Sequence, residues 1–226
     1  HKKRQICYNG IGNRDSQWKD WQMIPGSRCG IMGKIYYMMG KSSSGKDTLF
    51  KEVKNALPEL KTITLYTTRP IRKGEKDGVE YFFVTDEVLD AYERQGKLVE
   101  QRVYDTVCGP WRYATVDDGQ IDLESGDYLV IGTLESYEKM RTFYGRDALI
   151  PLYIEVEDGE RLERALKRER SQKKPEYAEM CRRFLADTRD FSEENLERLG
   201  IRKRFINQKK EKCLEEIIGE IRHGKF

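Results

Sequence analysis

Residues 34–53 read KIYYMMGKSSSGKDTLFKEV. The run Ile35 to Met39 is short and apolar, which marks a buried strand. Gly40-Lys41-Ser42-Ser43-Ser44-Gly45-Lys46 follows, and Leu49, Phe50 and Val53 then share one helical face. Strand, glycine-flanked loop and helix form the context in which G-x-x-x-x-G-K cradles phosphate. Gly40 and Gly45 open backbone angles closed to other residues. The amides of Lys41, Ser42, Ser43 and Ser44 can then turn onto phosphate oxygens, and the helix N-terminus adds partial positive charge. Lys46 is placed to reach the β- and γ-phosphates. The next position, where Ser or Thr usually helps hold Mg²⁺, carries Asp47, followed by Thr48. A carboxylate serves Mg²⁺ directly or through water, and the Thr48 hydroxyl is the alternative ligand. The stretch predicts a site for a nucleoside triphosphate.

The whole chain sets limits on what surrounds this site. Its 226 residues suit one or two domains with a sizeable core. Charged residues make up 36%, yet 42 basic against 39 acidic residues leave only +3. That balance excludes a strongly cationic nucleic-acid binder, and no nucleic-acid partner is expected. No apolar stretch is long enough to span a bilayer, so no membrane partner is expected. Cys7, Cys29, Cys108, Cys181 and Cys213 are scattered without a C-x-x-C pair, which fits a cytoplasmic, reducing setting. His1 and His223 are the only histidines, so a histidine base is not expected. Residues 1–30 lack any sustained period and lack a signal-peptide core. They are expected to be an N-terminal extension, poorly ordered or derived from an expression vector. Lys2-Lys3-Arg4 reads as a solvated terminus, Trp18 and Trp21 could dock the tail, and Met32 would be a sensible start for a compact domain over 31–226.

Beyond the first helix, Lys61 to Leu65 alternates and predicts a second strand. Residues 66–84 then read YTTRPIRKGEKDGVEYFFV. Arg69 and Arg72 lie in a segment broken by Pro70, Gly74 and Gly78, and arginine there is a fork for phosphate oxygens. Tyr81 adds a hydroxyl, and Tyr81 to Val84 predicts a strand. Asp86 to Gln95 predicts a helix capped by Asp86.

With the phosphate loop, the TTRP-x-R-x-GE-x-DG-x-x-Y-x-F segment resembles the guanylate kinases. The similarity runs from about Ile35 to the C-terminus. It implies that Arg69, Arg72 and Tyr81 bind the phosphate of an acceptor nucleotide. Gly96-Lys97-Leu98-Val99-Glu100 resembles the family's turn and strand, which implies that Glu100 accepts from the N1 and N2 donors of guanine. Tyr113-Ala114-Thr115 is similar to the family's Tyr-Gly-Ser element, so Tyr113 and Thr115 take the places of phosphate and base ligands. Thr133, or Glu135 two residues on, falls where the family has a base-reading acid, and Leu65 where it often has a base-contacting Ser. By the same resemblance Asn207 lies near the donor adenine, although it reads equally as a strand cap.

Gly126 to Gly132 and Ala148 to Val156 predict further buried strands, and Arg204 to Asn207 the last one. Leu214, Ile217, Ile218 and Ile221 define a closing amphipathic helix. The charge-dense run from Asp158 to Asp190 predicts two helices joined around Lys173-Lys174-Pro175. One apolar stripe holds Leu162, Ala165 and Leu166; the other holds Tyr177, Met180, Cys181, Phe184 and Leu185. A cationic hairpin beside a phosphate loop suggests a mobile lid, with Arg168, Arg170 and Arg183 as its candidate phosphate contacts.

The expected fold is α/β, a three-layer P-loop kinase core with a mostly parallel sheet. The core comprises 31–65, 117–157 and 191–226, with an acceptor-binding lobe over 66–116 and a helical lid over 158–190. The resemblance implies transfer of the ATP γ-phosphoryl group to GMP with Mg²⁺, giving ADP and GDP. Lys46, Arg72, Arg168, Arg170 and Arg183 form the catalytic set. Two alternatives stand beside it: a related kinase acting on another acceptor such as ribose 1,5-bisphosphate, which the Gly-Lys-Asp of the loop resembles, and a non-catalytic module that binds protein ligands. Oligomeric state is open.

Overall fold

The computed structural model describes residues 33–72, 74–106 and 109–224. The expectations for residues 1–30, and those for Met32, Lys73 and Cys108, lie outside the described residues.

Strand β1 (Ile35–Met39) is buried at every position. Strand alternation sends Ile35, Tyr37 and Met39 to one face and Tyr36 and Met38 to the other, and each set joins a separate apolar core. A strand buried on both faces belongs inside a parallel sheet. Accordingly β1 lies between β6 (Tyr128–Ile131) and β7 (Leu149–Glu155), and β7 pairs in turn with β8 (Arg204–Ile206). All three pairings are parallel. Pro151 sits within β7, but β8 begins to pair only at Tyr153, beyond it.

Helices α1 (Lys46–Ala56) and α7 (Lys210–His223) cover one face through Leu49, Val53, Cys213 and Ile217. Helices α3 (Leu134–Tyr144) and α6 (Glu193–Arg198) cover the other through Leu134, Tyr137, Met140 and Leu196. This is the three-layer α/β arrangement expected from the sequence. Burying a Leu-sized side chain on either face contributes roughly 1.5–3 kcal/mol, so both cores are needed to hold β1 in place.

A second, mixed sheet is built from residues 66–116 in the order β3-β2-β5-β4. Its strands are β2 (Tyr66–Thr67), β3 (Phe82–Phe83), β4 (Leu98–Thr106) and β5 (Gly109–Val116). Helix α2 (Asp86–Arg94) packs Leu89 against Tyr66, Ala114 and Val116. Helices α4 (Asp158–Arg170) and α5 (Tyr177–Asp190) form the expected hairpin. No residue of α5 is buried, and Leu185 is 63% exposed, so the predicted stripe on this helix is only partly used.

Two expectations are corrected. Lys61 to Leu65 is not a strand. Lys61 makes an isolated bridge to Tyr128, and the Gln120 side-chain amide takes both backbone groups of Thr64, accepting from its N–H at 2.8 Å and donating to its carbonyl at 3.2 Å. A side chain thus stands where a neighbouring strand would. Helix α2 has Thr85, not Asp86, at its cap position. Asp86 and Glu87 fall in the first turn, where carboxylates interact favourably with the helix dipole. Among the described residues no helix is long and apolar enough to cross a membrane.

Candidate active site

The loop leaving β1 is shaped by two glycines for two different reasons. Gly45 has φ 84°, the left-handed conformation expected for it, and caps α1. Gly40 does not have a left-handed angle, which corrects the expectation for that position. A Cβ on Gly40 would lie 2.5 Å from the Ile154 carbonyl oxygen and 2.9 Å from Ser44 Oγ. Close approach of β7, not backbone angle, requires glycine there. Ser43 also adopts a left-handed angle, φ 64°.

Three side chains fix this loop through its backbone. Asn207 Nδ2 donates to the Ser44 carbonyl at 2.8 Å, Arg161 Nη1 donates to the Ser42 carbonyl at 3.1 Å, and the Ser42 N–H donates to Asp187 Oδ2 at 2.7 Å. The hydroxyls of Ser43 and Ser44 are buried without a partner. A buried polar group left so costs roughly 1–3 kcal/mol, which a ligand can relieve. Lys46 Nζ lies 3.6 Å from Asp47 Oδ2, and the Asp47 and Thr48 side chains are exposed beside it. Lys41 Nζ reaches Asp158 Oδ1 at 3.3 Å.

Sequence reasoning missed Arg161. Its side chain is only 1% exposed; it meets Asp158 Oδ1 through Nε and Nη2 at 3.0 and 2.9 Å, reaches Asp187 at 3.4 Å and lies over the Phe184 ring. It therefore ties α4, α5 and the loop together. The i, i+3 spacing from Asp158 is a faint sequence signal, but in a run so rich in charge only burial singles it out. Arg164 was missed for the same reason; its Nη2 donates to the Asn207 carbonyl at 2.9 Å.

The structure separates the predicted lid arginines. Arg168 and Arg183 line a cavity of about 180 Å³ that also includes Ser42 and Ser43. Arg170 does not line it, because two residues along a helix point to different faces. Arg183 is paired with Glu179 at 2.7 Å, and Arg182 with Glu179 pairs similarly.

On the second sheet Arg69 is 4% exposed and forms a bidentate pair with Glu75, at 3.0 and 2.9 Å. This fork holds the Glu75 carboxyl below the usual carboxylate range. The Arg69 guanidinium also lies over the rings of Tyr81 and Phe83. Tyr113 packs its ring against Tyr81 and Tyr104, each centroid 5.6 Å away. Arg69, Tyr81 and Tyr113 thus come together, whereas Arg72 is exposed and gives its backbone N–H to Glu75.

Glu100 is buried, and Thr115 Oγ1 donates to its Oε1 at 2.9 Å. Arg102, also missed by sequence reasoning, pairs with the same carboxylate at 3.2 Å. Thr133 Oγ1 accepts from the Ser136 N–H at 3.2 Å, so its hydroxyl caps α3. Glu135 is exposed and paired with Lys139. A cleft of about 530 Å³ runs from Gly40 and Lys46 to Arg102, Tyr104 and Thr133. Loop and second sheet therefore face one space. Among the described residues no group of three or more His, Cys, Asp or Glu is placed to hold a metal.

Residues 32–111 match the family model described as guanylate kinase. A guanylate kinase of Tropheryma whipplei (strain Twist) is 38% identical over 85 residues, which cover 38% of this chain and 42% of that protein. One from Syntrophotalea carbinolica is 31% identical over 99 residues, covering 44% and 46%. The match thus spans less than half the length of these curated relatives. By structure, the chain is similar to guanylate kinase from Anaplasma phagocytophilum, with a TM-score of 0.58, 18% identity and coverage of 84% of this chain and 85% of that one. That likeness is one of fold. Residues 32–111 are thus similar in sequence to guanylate kinases, and the fold built on them is similar to that of one of them.

Proposed function

We propose that this protein transfers the γ-phosphoryl group of ATP to GMP, giving ADP and GDP. The observation that supports this best is the single cleft that Lys46 of the phosphate loop shares with β4 of the second sheet, the strand carrying Glu100. A donor-phosphate cradle and the strand that carries a base-reading carboxylate, facing one space through Arg102 and Tyr104, suit phosphoryl transfer between two nucleotides.

The acceptor phosphate is already ionised near neutral pH, so no general base is needed. Catalysis then rests on positioning and charge neutralisation. The loop amides, Ser43, Ser44 and Lys46 hold the ATP phosphates. Arg164 and Asn207 lie beside Gly45, where they can edge the donor nucleoside. Arg168 and Arg183 face the loop from the hairpin and are the lid cations of this mechanism; Arg170 has no part in it. Arg69, Tyr81 and Tyr113 receive the acceptor phosphate, with Arg72 closing from the exposed side. Asp47 and Thr48 are oxygen donors open to solvent, which suits Mg²⁺, an ion that keeps several of its waters. When bound, Mg²⁺ would supply further positive charge to the phosphate oxygens. Replacing Asp47 with Asn should raise the Mg²⁺ concentration needed for half-maximal rate more than it raises KM for the acceptor.

The test is ATP-dependent phosphorylation of GMP, dGMP, AMP, UMP and ribose 1,5-bisphosphate with Mg²⁺. Preference for GMP is expected. Preference for ribose 1,5-bisphosphate would move the assignment to a related kinase. No turnover of any acceptor, with nucleotide binding weak or absent, would favour a protein-binding module.

A further inference from the structure

Arg102 follows Glu100 by two residues in β4, so both side chains leave the same face of the strand. Glu100 is 1% exposed at its side chain and Arg102 14%. Arg102 Nη2 donates to Glu100 Oε1 at 3.3 Å. Nε lies 3.2 Å from Oε2, yet both atoms are buried without an aligned hydrogen bond. With Thr115 also donating to it, Oε1 is served twice, whereas Oε2 keeps its capacity to accept. Arg102 Nη1 takes part in neither contact, and Arg102 lines the cleft that leads to Lys46.

A lone buried cation would call for an anion. A guanidinium held beside a carboxylate that keeps one oxygen free to accept suits a neutral ligand with an acceptor next to a donor; Arg69 differs, because its fork takes both oxygens of Glu75. A second phosphate at this position would be attracted by Arg102 and repelled by Glu100 a few ångströms away. The lactam edge of guanine has the matching pattern, with O6 accepting beside N1–H donating, and N7 as a second acceptor next to O6. Arginine is the side chain whose fork fits O6 and N7 together. Adenine places an amino donor where guanine has O6, facing donor with donor. The side-on approach of Arg102 to Glu100 leaves the Nη1 end of the fork for this contact.

Building on the GMP reading above, we propose that Arg102 determines base specificity: it donates to guanine O6 and N7 while Glu100 accepts from N1–H. Thr133, whose hydroxyl caps α3, and Leu65, which has no polar group, leave this role to Arg102 on the β4 wall.

The experiment compares kcat/KM for GMP, 7-deaza-GMP, which lacks only N7, and 2-aminopurine ribonucleoside monophosphate, which lacks O6 and with it the N1–H that Glu100 reads. Each is measured with the wild-type protein and with Arg102→Gln. The wild type should disfavour both analogues by about 5- to 150-fold, the discrimination typical of a bidentate base contact. In Arg102→Gln the 7-deaza penalty should collapse to within about twofold, because the fork that spans two acceptors is gone. Wild-type acceptance of either analogue as readily as GMP, or an unchanged penalty in the variant, overturns the proposal. If Arg102→Gln loses its cooperative melting transition, the wild-type series decides alone, and a penalty at both positions is required. Preference for ribose 1,5-bisphosphate over GMP, or no turnover of GMP, removes the acceptor assignment itself and Arg102's role with it. That result is read in the GMP measurement before any analogue is compared.

Discussion

The two regions proposed to hold the donor and the acceptor are held in opposite ways. At the donor end, Asn207, Arg161 and Asp187 grip the phosphate loop by its backbone, and the Ser43 and Ser44 hydroxyls are left without partners. At the acceptor end, the buried charged side chains already have opposite charges of the chain itself: Arg69 has Glu75, and Glu100 has Arg102. An unpaired buried group gains a whole hydrogen bond when a ligand arrives. A paired one gains only the difference between its old and new partners. On the proposed reading, the loop end is therefore suited to receive a ligand and the second-sheet end to discriminate between ligands.

The largest effect should come from removing Lys46, the loop cation of the proposed donor end. Lys46→Ala should lower kcat by about 10³-fold, in the range of losing a main transition-state cation, with an unchanged melting temperature. Steady-state kinetics alongside a thermal melt would check this; a loss below about tenfold would place the main cation elsewhere.

Removing the grip while keeping Lys46 should damage the fold before the chemistry. Arg161→Met leaves Asp158 and Asp187 without their shared cation. Breaking a buried pair costs about 3–5 kcal/mol, and the 45% exposure of Asp158 puts this one at the lower end. For a body of this size that corresponds to a melting temperature lower by about 6–12 °C, measurable by calorimetry.

At the acceptor end, Arg69→Gln should raise KM for GMP by about 10- to 100-fold, the value of a charge-assisted contact. KM for ATP should stay within about twofold, which would separate the two ends kinetically.

The smallest effect belongs to the exposed hairpin. Arg182 and Arg183 pull the Glu179 carboxyl down to about 2. Unfolded, it titrates near its ordinary value of about 4.3, so the unfolded chain binds the proton first as pH falls. The pair's contribution is fully present above that value and is lost as pH falls toward 2. Because the pair is exposed, solvent screens it, and Glu179→Gln should flatten the melting-temperature slope between pH 5 and 2 by only a few degrees, as differential scanning would show.

Much of this was legible in the sequence because it is local. The Ile35–Met39 run, the spacing of Gly45 and Lys46, and the apolar stripes of α1 and α7 depend on neighbours in the chain, and covalent geometry gives those neighbours their relation. The segment from Tyr66 to Val84 carried its resemblance in the same way, through residue order. Gly40 was identified correctly as glycine-requiring but for the wrong reason, since the Ile154 carbonyl that crowds it is more than a hundred residues away. Lys61 to Leu65 alternates like a strand, and only the folded chain shows Gln120 in the place of a partner strand. Among the arginines between 158 and 190, composition could not separate Arg161, buried in the loop's grip, from Arg170, exposed on the far face. Glu100 was read from the resemblance of residues 96–100 to the guanylate kinases, but its pairing with Arg102 depends on a face of β4 turned toward the cleft. The sequence by itself determined the parallel core and its phosphate loop, because periodicity and spacing encode them. Only the tertiary structure decided which charges are paired and which are left for a ligand, because burial and long-range contact set the energy of a charge and neither is written in the order of residues.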